Sequence, residues 1–367
     1  MKILHVITDS NVGGAGILLC NLLGQLDRRS FQSVVALPFG SALRDRILAL
    51  DVPIYELEYS CDRLSLDSVR EIKRLIKRER PDLIHANAAL SARLAGKLSF
   101  KKVIHTRHCY YPIRPDRSVG AALRRIGNAL LTDAAIATAD AAADNLLALG
   151  IHPRAIHVIP NGTPPVREVS EDELRAFRAE HEIASDDFCV GICARLVPCK
   201  GHVTFLRAAA EAIQRCPDVG FRFLIAGEGP ERERLEELSE RLGISDRVSF
   251  LGFLDDTALF YRAIRINVNC SFGTETSCLA ISEGMSASLP TLASCYGGNR
   301  AMIGQSGAGI CFAARDHKAL SEAICRIAED PDLEESMRRA AIRRYRAKFT
   351  DEQMARRVER VYRLTVK

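Results

Sequence analysis

Lys2-Ile3-Leu4-His5-Val6-Ile7, then Gly13-Gly14-Ala15-Gly16, then Ile17-Leu18-Leu19-Cys20-Asn21-Leu22-Leu23 open the chain. The first segment, where a strand is expected over 3–8, is apolar almost throughout rather than alternating, as in a strand buried on both faces. The glycines follow it and begin a helical pattern over 14–24. A buried strand, a glycine turn and a helix form the start of a βαβ unit, whose next strand lies parallel to the first. The rest of the chain repeats this unit.

Apolar runs recur at 33–37, 54–58, 83–86, 103–106, 134–138 and 157–160, with helical patterns at 66–79, 89–98, 119–130 and 140–149. The alternation stops at Asn161-Gly162-Thr163-Pro164-Pro165, which is turn chemistry, and a charged helix follows at 171–181. A second series then begins. Its strands are expected near 188–193, 221–226, 247–252, 266–269, 290–293 and 309–312, and its helices near 202–215, 230–242, 256–264, 278–287 and 316–328. Two long helices, 332–347 and 351–365, end the chain. The fold class is α/β, with two doubly wound Rossmann-like domains at 1–165 and 166–350 and a final helix, 351–367, expected to pack back toward the N-terminal domain. Such a pair predicts a cleft faced by loops at the carboxyl ends of the strands.

Composition agrees with two domains. The 367 residues exceed one ordinary core, and 47% hydrophobic with 26% charged residues is a globular balance. No apolar run reaches the roughly 20 residues of a spanning helix. The N-terminus has one basic residue and no small-residue cleavage site, so no export signal is expected. Twelve cysteines include no Cys-x-x-Cys pair, and most sit in apolar segments, so free thiols in a reducing cytoplasm are expected and no metal cluster. The net charge of +5 is unevenly distributed. Arg70, Lys73, Arg74, Lys77, Arg78 and Arg80 crowd one helix, and Arg114, Arg117, Arg124 and Arg125 follow His108. Arg338, Arg339, Arg343, Arg344, Arg346 and Lys348 fill another. These are solvated helix faces or attract an anionic acceptor or membrane surface. No tryptophan and few aromatics argue against nucleic acid.

Residues able to do chemistry fall on the loops after the strands. Gly13 and Gly14 let backbone approach a ligand at a helix N-terminus, without completing a Gly-x-Gly-x-x-Gly fingerprint. Arg195 and Lys200, in Arg195-Leu196-Val197-Pro198-Cys199-Lys200-Gly201, could clamp a diphosphate, one as a fork and one as a point charge; the plain alternative is a basic turn. Gly227-Glu228-Gly229-Pro230 is strand-to-helix punctuation. His108 ends an N-domain strand, and with His105 it lacks a third zinc ligand nearby. Asp330-Pro331-Asp332 reads as a helix cap. In Cys270-Ser271-Phe272-Gly273-Thr274-Glu275, Glu275 precedes a helix start at Thr276-Ser277-Cys278. Glu283 lies eight residues further on, roughly 8 Å along the axis from the helix start if it is inside the helix. Alone, two glutamates suit an exposed acidic helix face. With the free N–H groups of a helix end between them, they match sugar hydroxyls, diphosphate and ribose in that order.

Together, the Gly13-Gly14 loop, His108, Asn161-Gly162, Arg195 with Lys200-Gly201, Gly227-x-Gly229-Pro230, the 248–253 segment and Glu275-x7-Glu283 resemble the retaining glycosyltransferases of the group-1 type, family four. The resemblance covers essentially the whole chain and implies the GT-B architecture. It implies that Glu275 contacts donor-sugar hydroxyls and Glu283 the ribose, and that Arg195 and Lys200 stabilise the departing diphosphate. Amides near Ser277, Cys278 and Leu279 would hold phosphate or sugar. His108 would touch the transferred sugar, the Gly13-Gly14 loop would approach it, and backbone of 251–254, Leu254 included, would meet the base. Gly227 and Gly229 would line the donor site. No cofactor or metal is implied; the donor is a nucleoside-diphosphate sugar, most often a UDP-sugar. Three departures concern Gly16, the Gly284 of Glu283-Gly284-Met285, where the family more often has alanine, and Thr276-Ser277-Cys278.

The resulting expectation is sugar transfer to an acceptor hydroxyl with retention, in polysaccharide or glycolipid assembly, by a cytoplasmic protein that could meet the inner membrane face through its basic helices. A glycan or lipid-linked acceptor would lie on the N-domain. A nucleotide-sugar epimerase of the same architecture and a non-catalytic sugar-nucleotide-binding scaffold remain open.

Overall fold

The computed structural model describes residues 1–10, 13–59, 64–111, 116, 118–273 and 275–366. Arg114, Arg117 and Thr274 lie outside the described residues. The chain forms two compact units, Met1–Thr163 with Thr350–Lys367, and Pro164–Phe349.

The N-terminal unit is built on strands β1 (Lys2–Ile7), β2 (Gln32–Pro38), β3 (Ile54–Leu57), β4 (Leu83–Asn87), β5 (Lys102–Arg107), β6 (Ala134–Ala137) and β7 (Ile156–Val158). Every pairing is parallel, in the order β3-β2-β1-β4-β5-β6-β7. The order reverses between β1 and β4, the place where a doubly wound sheet presents its ligand-binding loops. The helices are α1 (Gly14–Gln25), α2 (Arg44–Leu48), α3 (Leu66–Glu79), α4 (Leu90–Leu98), α5 (Val119–Leu130) and α6 (Asp140–Ala148). β1 is apolar throughout because both faces are covered, and Ile3, Leu4 and Val6 are fully buried. In α3, Val69, Ile72, Leu75 and Ile76 recur at helical spacing and turn inward, while Ser65 caps its start by accepting from Ser68 N–H.

The second unit holds α7 (Glu171–Glu180), β8 (Phe188–Cys193), α8 (His202–Arg215), β9 (Phe221–Ala226), α9 (Arg232–Arg241), β10 (Val248–Gly252), α10 (Ala258–Ala263), β11 (Ile266–Asn269), α11 (Leu279–Ser286), β12 (Thr291–Ser294), α12 (Asn299–Ile303), β13 (Gly309–Phe312), α13 (His317–Glu329) and α14 (Pro331–Lys348). Its parallel sheet runs β10-β9-β8-β11-β12-β13, reversing between β8 and β11. Phe205, Phe221 and Phe223 fill its core, with the Phe205 and Phe223 rings edge to face at 5.7 Å.

The last helix, α15 (Asp351–Val366), belongs to the N-terminal unit. Its Met354, Ala355, Val358, Val361 and Tyr362 pack with Leu18, Leu19 and Leu22 of α1. The buried Tyr362 hydroxyl is 2.7 Å from His85 Nδ1 on β4. The five-residue helices α2 and α12 were not expected from the sequence, because neither is long enough to show a hydrophobic period.

Candidate active site

The loops after β8, β9, β10 and β11 meet at the carboxyl edge of the second sheet, and hydrogen bonds join them. Leu196 N–H donates to Glu228 O at 2.8 Å, Gly227 N–H to Gly252 O at 2.7 Å, and Phe272 N–H to Cys199 O at 2.9 Å. Gly227 and Gly229 make this junction possible. Their φ angles are +135° and +156°, and a Cβ would lie 2.1 Å from Ala194 O at Gly227 and 2.4 Å from Leu196 O at Gly229. Backbone therefore packs on backbone beside Arg195. Pro230 stands in the turn before α9, two residues ahead of the helix.

Lys200 and Glu275 form an ion pair across the strand-order reversal, one from the loop after β8 and the other from the loop after β11. Glu275 is buried and Lys200 half-buried. Burial by itself would lower the Lys200 pKa, but the Glu275 carboxylate outweighs it and holds the ammonium above its ordinary value. Arg195, on the same loop as Lys200, is exposed; its carbonyl accepts from Val197 N–H at 2.8 Å, while among the described residues its guanidinium has no hydrogen-bond or ion-pair partner. The pair thus leaves one guanidinium open to an incoming anion.

Glu283 lies in the second turn of α11, half-buried, and its Oε2 accepts from the Tyr261 hydroxyl at 2.9 Å. Burial pushes the carboxyl pKa up, and the tyrosine hydrogen bond opposes that. Burial and the facing carboxylate hold the Tyr261 phenol well above its usual value. Leu279 is the first residue of α11, and Cys278 stands at the N-cap position without a capping side-chain hydrogen bond. Cys278 N–H donates to Met302 Sδ at 3.1 Å, so this amide already has a weak acceptor. Burial, then Glu275, raises the Cys278 thiol to about 12, which keeps it protonated at neutral pH. Ser277 is buried just before it, and Leu254 is half-buried beyond β10.

The remaining expected residues belong to the N-terminal unit. Gly13 precedes α1 and Gly14 begins it; among the described residues a Cβ on Gly14 would meet nothing within 4 Å. His108 follows β5 and its Nε2–H donates to Asn87 Oδ1 at the end of β4 at 3.0 Å. Burial, then Arg107, lowers the imidazole to about 4, so it is neutral at pH 7.

Three supporting residues escaped the sequence reading. Tyr261 gave no signal, since its partner comes from another element. Asn267 and Asn269, polar residues inside the apolar strand β11, did give one, because buried amides must be hydrogen-bonded. Asn267 Nδ2 donates to Ala280 O at 2.9 Å. Asn269 Oδ1 accepts from Ser271 N–H at 3.1 Å and from Asn299 Nδ2 at 3.1 Å, and its Nδ2 reaches Cys278 Sγ at 3.1 Å. These contacts fix both ends of the loop that carries Glu275.

Two doubly wound domains with this site define a GT-B glycosyltransferase fold, and solved structures agree. The Anabaena Alr3699/HepE structure in complex with UDP and glucose superposes with a TM-score of 0.83 at 20% identity, covering 99% of each chain. A glycosyltransferase of Rickettsia africae ESF-5 gives 0.85 at 19%, covering 100% of this chain and 98% of that one. The profile for "Glycosyl transferases group 1" matches residues 174–344, and that for "Glycosyltransferase Family 4" matches residues 12–167. The lipopolysaccharide core biosynthesis glycosyltransferase LpsE of Rhizobium meliloti is 30% identical over 276 residues, 74% of this chain and 72% of its own length. Three further glycosyltransferases match at 26–29% identity, and the chain spans 50–60% of their length. The chain belongs to the group-1 glycosyltransferases and is an enzyme of that class.

Proposed function

We propose that the protein transfers a sugar from a nucleoside-diphosphate sugar, UDP-linked for preference, to an acceptor hydroxyl with retention of anomeric configuration and without a metal ion. The observation that carries this reading is the Lys200–Glu275 pair at the reversal of strand order, with the exposed Arg195 on the Lys200 loop and Glu283 eight residues beyond Glu275. On this reading Glu275 accepts hydrogen bonds from sugar hydroxyls, and Glu283, steadied by Tyr261, accepts them from the ribose. Arg195, Lys200 and the N-terminus of α11 take up the charge of the departing diphosphate.

The bond from the anomeric carbon to the diphosphate oxygen breaks, and its electron pair leaves with the diphosphate. The acceptor oxygen bonds the same face of the carbon, and its proton passes to the departing phosphate. The lipopolysaccharide relative supports an acceptor in cell-surface glycan assembly, either a growing glycan or a lipid-linked sugar. Donor consumption in EDTA that requires acceptor, with a product whose anomeric proton coupling matches the donor, supports this reading. Donor consumption without acceptor would replace it with epimerisation or hydrolysis. No consumption of UDP-, GDP- or ADP-sugars would leave a binding scaffold.

A further inference from the structure

We propose that Cys295 and Cys311 are a redox-active thiol pair, which a small disulfide of the glutathione type oxidises to an intramolecular disulfide, loosening the chain around Glu275. The register of β12 and β13 sets Ala293 opposite Cys311. Cys295 comes two residues after Ala293, just beyond the strand, and its N–H continues the ladder by donating to Phe312 O at 2.8 Å. Strand side chains alternate, so residues two apart share a face of the sheet. Cys295 is thereby brought to the face that carries Cys311, and the two thiols are hydrogen-bonded to each other. Both are free.

Exposure sets this pair apart. Of the described cysteines only Cys295 is exposed, and Cys311 is half-buried beside it. The thiols of Cys216 and Cys325 also touch, but each residue is 6% exposed and Cys216 Sγ already donates to Glu329 Oε1 at 3.4 Å. Exchange with a bulky disulfide needs an accessible attacking sulfur. Burial first, then Cys295, pushes the Cys311 thiol up to about 12, so Cys295 is the attacking group and Cys311 the resolving one. Cys295 gives its proton to solvent, and its sulfur attacks one sulfur of oxidised glutathione. That S–S bond breaks and one glutathione leaves as a thiolate. Cys311 then loses its proton and attacks the Cys295 sulfur of the mixed disulfide, releasing the second glutathione. The protein has lost two electrons and two protons, and the oxidant has become two thiols.

The turn after Cys295 props the loop that carries Glu275. Gly297 has φ +55°, and a Cβ there would lie 2.0 Å from Glu275 O, so backbone rests on backbone. Ser294 Oγ donates to Ser271 O, and Asn299 Nδ2 donates to Asn269 Oδ1 at 3.1 Å. Sulfurs in hydrogen-bond contact must close to about 2 Å in a disulfide. Cys311 is held within the β12–β13 ladder, so Cys295, at the strand end, is the one that moves. In the order β11-β12-β13 its movement is toward β13, away from the β11 side on which Glu275 lies. Oxidation thus draws the turn off the Glu275 backbone.

The test is incubation of the full chain with oxidised glutathione, followed by alkylation of the remaining thiols, tryptic digestion and mass spectrometry, with deuterium exchange measured on the same samples. Cleavage after Arg300 puts Cys295 and Cys311 on separate peptides. The proposal expects loss of both thiols and a disulfide joining those peptides that is absent from Cys295→Ser. It also expects deuterium uptake over residues 275–279 that rises on oxidation and returns to its starting value with dithiothreitol. In Cys311→Ser, glutathione should stay on Cys295 and the uptake should remain that of the reduced protein. Both thiols left open to alkylation, or glutathione held on Cys295 of the native chain with the Cys311 thiol intact, overturns the pair. A disulfide formed with unchanged uptake overturns the link to Glu275. These readouts use no sugar donor, so their failure is distinct from failure of the transfer reaction.

Discussion

Lys200 and Glu275, 75 residues apart in the chain, are joined in an ion pair that spans the reversal of strand order in the C-terminal sheet. The pair links the two loops, and each charge positions the other. Glu275→Gln and Lys200→Ala should each lower kcat by about 10²-fold or more, because each removes a group proposed to meet charge or hydroxyls in the transition state. In thermal or urea unfolding the double variant should lose less than the sum of the single losses, with a coupling of about 1–3 kcal/mol. Additive losses would show that the pair is incidental.

Tyr261 acts on Glu283 from a different helix. Tyr261→Phe removes the one hydroxyl that opposes the upward push of burial on the Glu283 carboxyl. It should cost about 1 kcal/mol of stability and raise the donor KM more than it lowers kcat. A donor whose ribose lacks the hydroxyl proposed to meet Glu283 should lose that sensitivity. Equal effects on both donors would separate Tyr261 from ribose binding.

Gly284 follows Glu283 on the face of α11 that lies on β11. A Cβ there would stand 2.3 Å from Asn267 Nδ2, in a site with no room to give. Gly284→Ala should therefore destabilise the protein by about 1–3 kcal/mol, even though alanine is the better helix former. The clash is with the Asn267 side chain, so an Asn267→Ala background should accept Gly284→Ala with a smaller loss. An unchanged melt for the single variant would contradict the close packing.

The pH dependence of stability should be dominated on the acid side by buried histidines. Burial lowers His5 to about 3, and lowers His108 and His202 to about 4, aided by Arg107 and Lys200 respectively. Unfolded, these rings titrate near 6.5, so between about pH 6.5 and 4 the unfolded chain binds protons that the native chain does not, and stability rises with pH. The native state should thus weaken steadily as pH falls from 6.5 toward 4, before most carboxylates protonate. Urea melts across that range should show it, with a shallower slope for His108→Gln. A flat profile would mean that these rings are solvated.

The alternation of apolar runs and helical patterns was readable because parallel strands buried on both faces carry continuous Val, Ile and Leu. β8, β9, β11 and β13 fall where the sequence indicates, and others shift by a residue or two at frayed ends. Arg195, Lys200 and Glu275 were legible as loop residues because strand ends in such sheets announce where loops begin. What stayed hidden was contact between distant elements: the Tyr261 hydroxyl on Glu283, the Met302 sulfur on the Cys278 amide, and the bonds of Asn269. No local period encodes these. The exposed stripe of Val119, Leu123, Ile126 and Leu130 on α5 was hidden for the opposite reason, since its spacing is that of an ordinary core-facing helix and only burial shows which way it turns.

The central claim is that the loops after β8 and β11 bind the diphosphate of a nucleotide through Arg195 and Lys200 without metal. The most direct measurement is calorimetric titration of UDP, in EDTA, into the native chain and into Arg195→Ala and Lys200→Ala. The account predicts metal-independent binding by the native protein and a loss of about tenfold or more in each variant, the value of a charge-assisted contact. Native-like UDP affinity in both variants, or binding that EDTA abolishes, would contradict it.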